Sequence, residues 1–380
     1  MRMLVLGAGL QGAACALDLL QQPAVTSVTL ADLHVDHLPK FLSGFGAPRF
    51  TTRALDVRDR AAVLAAMTGI DAVMSAVPYY FNGPLAELAI EAGAHFSDLG
   101  GNTEIVQHQK TLHDKAVARG VSVIPDCGLA PGMVNILSQY GIAQLDTTSS
   151  VRIYVGGLPQ HPQPPLNYQV VYSLEGVLDY YTTPSWIVRD GKRATVTALS
   201  EVEPVDFPSP VGTLEAFHTA GGLSTMAFRY EGQIAEMEYK TLRYPGHAAI
   251  MEDVRDLGFF DLEPIEVKGV KVVPRDVAIA VLGPRLRKQD SPDLVALRVV
   301  VKGTKDGQPR TCAWQLVDRM DEARGVTAMM RTTGYSLAIT GLLQAAKAIA
   351  PGVHTPDECM PAEQYIAELA ARGVVIERTA

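Results

Sequence analysis

Short apolar runs alternate with longer segments of helical spacing through the first third of the chain. Residues 2–6 (RMLVL) form an apolar run, and the following AACALDLLQQ has the apolar spacing of a helix. Further strand candidates are SVTLAD, DAVMSAVP, HFSDLGG and VSVIPDCG, and further helix candidates are RAAVLAAMTG, PLAELAIEAG and KTLHDKAVARG. Near-continuous apolar strands joined by helices are typical of a parallel sheet covered on both faces. This region therefore predicts an α/β, Rossmann-type doubly wound parallel sheet.

After Gly132 the pattern changes. VNILSQYGIAQL predicts a helix, and then short alternating runs predict a mixed or antiparallel sheet, namely VRIYVGGLP, QVVYS, KRATVTAL, AFRYEG, IAEMEYKTL and LVALRVVVKGT. From about Gly334, SLAITGLLQAAKAIA and PAEQYIAELAARG again predict helices. We expect a Rossmann domain over residues 1–132 and an α+β domain with a mixed sheet over 133–333. The C-terminal helices, 334–380, are expected to pack back on the first domain.

Composition and charge exclude several classes of partner. The 380 residues are 47% hydrophobic and 19% charged, with a formal net charge of −8, which is ordinary for a globular protein. Because no Lys/Arg run appears, we expect no nucleic acid and no membrane among the partners. The first apolar run ends at Gly7, too soon for a signal peptide, and no window reaches the roughly 18 apolar residues of a spanning helix.

The cysteines and histidines suggest neither disulfides nor metal. The four cysteines are widely separated and form no CxxC pair: Cys15, Cys127, Cys312 and Cys359. That spacing predicts reduced thiols in a cytoplasmic protein. His34 and His37 in HVDH have no carboxylate or cysteine cluster in the sequence beside them, so we expect no metal site.

A glycine-rich turn follows the first apolar run. Gly7, Gly9 and Gly12 form a GxGxxG motif at the start of a predicted helix. The backbone amides at the start of that helix, including those of Leu10 and Gln11, favour the binding of a phosphate group. In this motif the glycines permit a tight turn, close approach of pyrophosphate and close helix packing. Asp32 lies about 20 residues further on, where a carboxylate accepts hydrogen bonds from ribose hydroxyls and repels a 2′-phosphate. The pattern predicts a dinucleotide site that takes NAD rather than NADP.

Two further loops are expected beside the cofactor. SAVPYY ends the third strand candidate and contributes Val77 and Pro78, and SDLGGN ends the next and contributes Gly100. Asp98 and Asn102 in the second loop can equally cap the helix that follows.

The motifs together resemble a known family. PDCGLAPGM (125–133), GGLPQHPQPPLNYQVVYS (156–173), LEAFHTAGGLSTM (214–226), KTLRYPGHAAIM (240–251), LGFFD (257–261) and the tail from TTGYSLAITG are similar to the saccharopine dehydrogenase-like family. Within it the chain is most similar to the lysine 6-dehydrogenase branch. The resemblance implies NAD-dependent oxidation of the ε-carbon of L-lysine, release of ammonia, and formation of 2-aminoadipate 6-semialdehyde, which cyclises to a piperideine carboxylate.

That chemistry needs a base. A lysine ammonium has an ordinary pKa near 10.4 and must lose its proton before hydride can leave. Asp98 and Asp126, at the carboxyl ends of predicted strands, and the histidines His218 and His247 are candidates. Each of them can equally be a cap, a core hydrogen-bonding group or a surface residue, and the sequence does not rank them.

An amino-acid substrate also needs a cation for its carboxylate. In YKTLRYPGHAAIM (239–251), Arg243 precedes a Pro-Gly bend, and a guanidinium pairs with a carboxylate through two parallel hydrogen bonds. We expect the bend to direct Arg243 toward the cofactor and His247 to share its pocket, although a surface salt bridge is the alternative. Further substrate contacts are expected from His218, Thr219, Ser224, Thr225 and Tyr168, although hydroxyl residues in Gly-rich turns often serve only the turn.

Two other functions remain open. One is a reductase of the saccharopine or carboxynorspermidine type, which joins an aldehyde to an amine. The other is a non-catalytic NAD-binding sensor, because fold alone does not decide function. The polar segments 214–226 and 239–251 favour an enzyme. A β-rich second domain also leads us to expect a homodimer or higher homo-oligomer.

Overall fold

A computed structural model describes residues 1–171, 173–287 and 291–380, which form two compact units. The first unit comprises Met1–Gln144, Ser224–Met226 and Met320–Ile376. The second comprises Leu145–Leu223, Ala227–Arg319 and Glu377–Ala380. The main divisions thus fall at 144 and 319, whereas the sequence predicted 132 and 333.

The first 144 residues contain alternating strands and helices. The strands are β1 (Arg2–Leu6), β2 (Ser27–Asp32), β3 (Phe50–Ala54), β4 (Ala72–Ser75), β5 (His95–Asp98) and β6 (Ser122–Ile124). The helices are α1 (Leu10–Gln21), α2 (Arg60–Met67), α3 (Asn82–Ala92), α4 (Thr103–Lys110), α5 (His113–Arg119) and α6 (Met133–Ile142).

The middle of the chain is richer in strands. The strands are β7 (Thr147–Pro159), β8 (Ser185–Arg189), β9 (Lys192–Val196), β10 (Glu203–Phe207), β11 (Gly212–His218), β12 (Glu236–Arg243), β13 (Ile265–Val267), β14 (Val270–Val272), β15 (Asp293–Lys305) and β16 (Gln308–Arg319). The helices are α7 (Leu174–Thr182), α8 (Met226–Arg229), α9 (His247–Asp256) and α10 (Pro274–Leu286).

The C-terminal part is mainly helical. It contains α11 (Ala328–Ala345), β17 (Gly352–Val353), α12 (Pro356–Cys359), α13 (Ala362–Ala371) and β18 (Glu377–Arg378). Helix α11 packs closely on α1, because a Cβ at Gly334 would lie 2.7 Å from Cβ of Ala14. Among the described residues, no helix is both long enough and apolar enough to cross a bilayer.

The first unit is built on a parallel sheet. In the described residues its seven strands run in the order β17-β6-β5-β4-β1-β2-β3, and every neighbouring pair is parallel. The core strands are apolar on both faces, as Met3–Leu6 are fully buried. Strand β1 lies between β2 and β4, so the chain order reverses there. Such a switch point forms a crevice at the carboxyl ends of the strands.

The second unit is built on a mixed sheet. Its main path, among the described residues, is β10-β11-β12-β7-β15-β16-β18, with β8 and β9 paired beside β12. The β12–β7 pair is parallel and its neighbours along the path are antiparallel. The predicted fold class, a Rossmann-type sheet followed by an α+β region with a mixed sheet, is confirmed.

Two local predictions were wrong or incomplete, and strand β3 was missed. AFRYEG was predicted as a strand, but its first residues belong to α8. In QVVYS, residues 169–171 and Ser173 lie outside the strands, and Tyr172 lies outside the described residues. Strand β3 was not predicted, because FTTRA lies at the sheet edge with four exposed residues and lacks an apolar pattern.

Candidate active site

The glycine-rich turn lies at the switch point of the first sheet. Gly7 follows β1 with φ +98°, and a Cβ on it would lie 2.8 Å from the carbonyl oxygen of Ala76, which follows β4. At Gly12 a Cβ would lie only 1.8 Å from the Gly7 oxygen, so the helix and the turn touch there. At Gly9 a Cβ would meet no atom of the described residues within 4 Å, apart from its own chain neighbours. The turn therefore packs against protein atoms at Gly7 and Gly12 and is open at Gly9, where a phosphate group can approach.

Asp32, at the end of β2, accepts a hydrogen bond from this turn. Its Oδ2 accepts a hydrogen bond from the Ala8 amide at 2.7 Å, and its Oδ1 accepts one from the His34 amide at 3.1 Å. A groove of about 540 Å³ lies alongside, lined by residues 8–10 and 36–39. The carboxylate therefore lies next to the groove, and its negative charge disfavours a second anion beside it.

Gln11 adds an independent indication of a ligand. Both polar atoms of its side-chain amide are buried and have no hydrogen-bond partner among the described residues. Leaving such atoms unpaired is costly, so a buried amide usually has a partner. The open space at Gly9, the first amides of α1 and the Gln11 amide together fit the pyrophosphate part of a dinucleotide. Residues 7–12 and Asp32 are the groups that would hold it.

Asp98 ends β5 and is fully buried. Its Oδ1 accepts a hydrogen bond from the Gly100 amide at 2.7 Å, and its Oδ2 accepts one from the Gln109 side chain at 2.7 Å. Asp98 does not cap α4. Asn102 does, since its side chain accepts a hydrogen bond from the Ile105 amide.

Asp126 lies just after β6, beside Asp98. The Asp126 amide points at Oδ1 of Asp98 at 3.4 Å, and the Gly101 amide points at Oδ1 of Asp126 at 3.4 Å. A Cβ on Gly100 would lie 1.7 Å from that same Oδ1, so glycine is required there for the carboxyl group to occupy its position. The Ser224 hydroxyl donates a short hydrogen bond to Oδ2 of Asp126.

Burial makes both carboxyl groups weaker acids than usual. It raises the pKa of Asp98 to about 6, against the lowering effect of its hydrogen bonds. It raises the pKa of Asp126 to about 7; the Ser224 hydrogen bond lowers this pKa and the charge of Asp98 raises it. A carboxyl group with a pKa near neutrality can take up and release a proton at physiological pH, as a general base requires.

The remaining predicted residues of the first unit are Val77, Pro78 and Thr225. Val77 and Pro78 follow β4, beside the glycine turn at Gly7. Thr225 is buried next to Ser224 in the segment that belongs to the first unit. Gln109 was not predicted, because nothing in the sequence links α4 to a carboxyl group at the end of β5.

In the second unit, Arg243 lies at the centre of an aromatic cluster. It ends β12 and is only 3% exposed. Its guanidinium carbon lies 4.6 Å from the ring centroid of Tyr168, and Nη1 donates to the Leu242 carbonyl at 2.8 Å. The alternative of a surface salt bridge is excluded by this burial. A guanidinium over an aromatic face keeps its charge and can bind a carboxylate.

His247 belongs to the same cluster and begins α9. Its Nδ1 lies 3.1 Å from the Leu166 carbonyl, which only accepts, so Nδ1 carries the proton. Nε2 therefore accepts from the Tyr181 hydroxyl at 2.9 Å. Burial and the nearby Arg243 charge lower the pKa of His247 to about 3. The imidazole is neutral and orients Tyr181, a residue that sequence reasoning missed because it lies on α7.

The structure does not bring His218 together with Arg243. Strand pairing places His218 opposite Lys240 and Phe217 opposite Thr241. Since successive side chains of a strand point to opposite faces, Arg243 and Thr241 share one face of the sheet and His218 and Lys240 the other. Thr219 lies with Thr241, and their hydroxyl oxygens are 2.7 Å apart. His218 and Thr219 are neighbours in one sequence motif, but their side chains lie on opposite faces of the sheet.

Comparisons with known proteins agree with this architecture. Residues 3–124 match the model of the saccharopine dehydrogenase NADP binding domain, and residues 128–374 match that of the saccharopine dehydrogenase C-terminal domain. A relative in Schizosaccharomyces pombe, saccharopine dehydrogenase [NADP(+), L-glutamate-forming], is 25% identical over 68% of this chain and 58% of its own length. The mouse mitochondrial α-aminoadipic semialdehyde synthase is 27% identical over 51% of this chain and 22% of its own.

The matched regions thus span little more than half of the fungal relative and about a fifth of the mouse protein. Among solved structures, apo saccharopine dehydrogenase (L-Glu forming) from Saccharomyces cerevisiae has a TM-score of 0.80 over the whole of both chains, at 21% identity. That likeness concerns the fold. The two family models cover both the parallel-sheet region and the mixed-sheet region, and the chain belongs to the saccharopine dehydrogenase family.

Proposed function

We propose that this chain is a nicotinamide-dependent dehydrogenase that acts on the distal amine of an amino acid, with L-lysine as substrate and NAD as cofactor. The balanced reaction converts the lysine cation, NAD⁺ and water to 2-aminoadipate 6-semialdehyde, ammonium, NADH and one proton. A C–H bond breaks at the ε-carbon, and water then replaces the nitrogen at that carbon.

The buried pair of Asp98 and Asp126 carries this proposal. When bound, a nicotinamide supplies the hydride acceptor. The substrate ammonium must first lose a proton, and Asp126, with a pKa of about 7, is the group we assign to accept it. Ser224 holds its carboxyl group in place through Oδ2, and Gly100 leaves the space that Oδ1 occupies. Asp98 is bound by Gly100 and Gln109 and raises the pKa of Asp126, so we assign it a positioning role.

Arg243 is the group we assign to the substrate α-carboxylate. The buried cations among the described residues of the second unit are Lys240, Arg243 and Arg275. Lys240 lies on the other face of the sheet and Arg275 lies on α10, whereas Arg243 lies within the aromatic cluster. A single guanidinium within an aromatic cluster suits a substrate end that carries one carboxylate. His247 and Tyr181 line the same cluster as neutral groups and add no charge.

Asp32 supports NAD as the cofactor. Its carboxylate is fixed by the Ala8 and His34 amides beside the groove, where a 2′-phosphate would meet a negative charge. The fungal relative is named for NADP, so this preference is a prediction specific to this chain.

Oxidation of saccharopine is the second candidate, and the names of the relatives favour it. The fungal relative is described as L-glutamate-forming. Saccharopine is a secondary amine with more than one carboxylate, and its oxidation would release an amino acid instead of ammonia. The same Asp126 can serve either reaction, because both begin with a deprotonated amine.

One set of assays separates the two candidates. The purified protein is mixed with NAD or NADP and with lysine or saccharopine, and reduced nicotinamide, ammonia and glutamate are measured. Ammonia in equal amount to NADH from lysine supports the proposal. Glutamate from saccharopine, with no turnover of lysine, replaces it by the second candidate. Asp126→Asn should abolish either reaction, and tight NAD binding without any turnover would indicate a sensor.

A further inference from the structure

We propose that Glu201, His218 and Glu238 form a binding site for a divalent transition-metal ion of the zinc class, on the face of the second sheet opposite Arg243. This site is independent of the proposed lysine oxidation. Its ligands come from three separate segments, and for that reason no spacing motif in the sequence indicates it.

The three ligand atoms already lie close together. Nε2 of His218 is 3.2 Å from Oε2 of Glu201 and 3.8 Å from Oε2 of Glu238. All three ligand atoms lie within 4.8 Å of one another. Zinc binds nitrogen and carboxylate oxygen at about 2.0–2.2 Å, so two ligands of one tetrahedral ion are roughly 3.4 Å apart. Small rotations of the glutamate side chains would bring all three onto one ion.

The backbone holds these ligands in place. His218 ends β11 with its side chain fully buried, and Glu238 lies on the neighbouring strand β12. The Glu201 loop is tied to β11 by hydrogen bonds from the Leu199 amide to the His218 carbonyl at 2.8 Å and from the His218 amide to the Ser200 carbonyl at 3.2 Å. The Lys240 ammonium donates to the Glu201 carbonyl at 2.8 Å. A buried imidazole cannot move away from the two carboxylates.

Two cations compete with an ion for the carboxylates of Glu201 and Glu238, and a third cation lies beside the site. Arg189 binds Glu201 at 2.8 Å, Arg152 lies 3.3 Å from Glu238, and Lys240 binds Glu203 at 3.0 Å. The Arg189 and Arg152 side chains are 42% and 50% exposed and can turn into solvent. A bound ion would replace these two guanidinium groups as the positive charge beside Glu201 and Glu238. Lys240 is 5% exposed and would stay on Glu203, whose other neighbour is the Tyr154 hydroxyl.

The ligand types select the kind of ion. One imidazole nitrogen and two carboxylate oxygens match Zn²⁺ and its transition-metal neighbours, whereas Mg²⁺ and Ca²⁺ prefer oxygen alone. The Glu201 side chain is 42% exposed, which leaves room for water as the fourth ligand. Because the ion would join the 197–201 loop to β11 and β12, its effect would be to stabilise the second unit.

Metal titration of the full chain tests the proposal. After dialysis against EDTA, the protein is titrated with Zn²⁺ by calorimetry, and Co²⁺ is added to a second sample to record its visible absorption. We expect one ion per chain and a higher melting temperature with Zn²⁺. Glu201→Gln keeps the shape of an exposed side chain and should lower the affinity at least about tenfold. Arg189→Ala should raise the affinity, because it removes a competitor for Glu201.

The matched control is the exposed histidine pair at 34 and 37. Replacing both with alanine should leave Zn²⁺ binding unchanged, and circular dichroism in EDTA should be the same for all variants. The proposal fails if the wild-type chain shows no saturable binding, or if Glu201→Gln binds as tightly as wild type. It also fails if binding is lost on removing His34 and His37.

Discussion

The Ser224 hydroxyl donates a hydrogen bond to the Asp126 carboxylate across 98 residues of sequence. Both residues have positive φ, 49° for Ser224 and 63° for Asp126, and both are buried. Non-glycine residues in this region of backbone space are uncommon and cluster at functional sites. The segment Ser224–Met226 leaves the second unit in sequence and belongs by its contacts to the first. The chain thus brings a hydroxyl to a carboxyl group that also accepts a hydrogen bond from the Gly101 amide.

Replacing Ser224 with alanine should shift the pH dependence of activity. The hydroxyl stabilises the ionised form of Asp126 and so lowers its pKa, which burial raises to about 7. Without it the pKa rises, and the ascending limb of the kcat/KM profile should move to higher pH. Steady-state kinetics between pH 6 and about 9 measures this. Ser43→Ala, which changes an exposed serine of the first unit, is the control. Identical profiles for Ser224→Ala and wild type would contradict the assignment of Asp126 as base.

The contribution of Asp98 and Asp126 to stability should fall as pH rises from about 4 to about 7. Burial raises the folded-state pKa of Asp98 to about 6 and of Asp126 to about 7, above an ordinary value near 3.9. In this window these two carboxyl groups therefore bind more protons in the folded chain than in the unfolded chain, so their contribution is complete below pH 4 and is lost as pH passes 7. Each unit of raised pKa corresponds to about 1.4 kcal/mol.

The variant Asp126→Asn isolates this effect. It is neutral at every pH, and asparagine tolerates the positive φ of position 126. The melting temperature of wild type relative to that of the variant should fall as pH rises through this window, because groups common to both, such as His247, cancel in the difference. Parallel curves would show that Asp126 does not titrate in this range.

Two glycines of the nucleotide turn should respond differently to alanine. At Gly12 a Cβ would lie 1.8 Å from the Gly7 oxygen, so Gly12→Ala should lower the melting temperature by several degrees. At Gly9 a Cβ would meet no atom of the described residues beyond its own chain neighbours, so Gly9→Ala should leave the melting temperature unchanged. NAD binding, measured by fluorescence or calorimetry, should nevertheless weaken at least about tenfold in Gly9→Ala, because the methyl group occupies the space assigned to pyrophosphate. Unaltered NAD affinity would remove Gly9 from the cofactor site.

Arg243→Ala should raise the KM for lysine by at least about thirtyfold, because truncating one partner of a buried charge pair costs about 2–5 kcal/mol. Arg243→Lys keeps the charge and the fold but lacks the planar fork, so it should recover part of the affinity. The matched control is Arg310→Ala, an exposed arginine of β16, which should leave KM unchanged. If Arg243→Lys and Arg243→Ala both fold and both have the wild-type KM, Arg243 is not part of the substrate site.

Much of the first unit was predictable from local pattern. Strands β1 and β4 are mainly apolar runs, and the glycines at 7 and 12 lie where backbone oxygens leave no space for a side chain. Both signals are local, since the period of a strand and the steric demand of a turn act within a few residues. Strand β3 escaped prediction because an exposed edge strand needs no apolar face.

The sequence by itself determined the fold class, the position of the nucleotide turn and the residue types available for chemistry. Only the tertiary structure decided which of them meet. The predicted histidines show why: His247 is buried against Arg243, while His218 lies on the opposite face of the same sheet, beside Glu201. Ser224 likewise meets Asp126 through a contact that no local pattern encodes. Strand register and long-range packing set these neighbours, because side-chain direction in a sheet depends on pairing and not on spacing in the sequence alone.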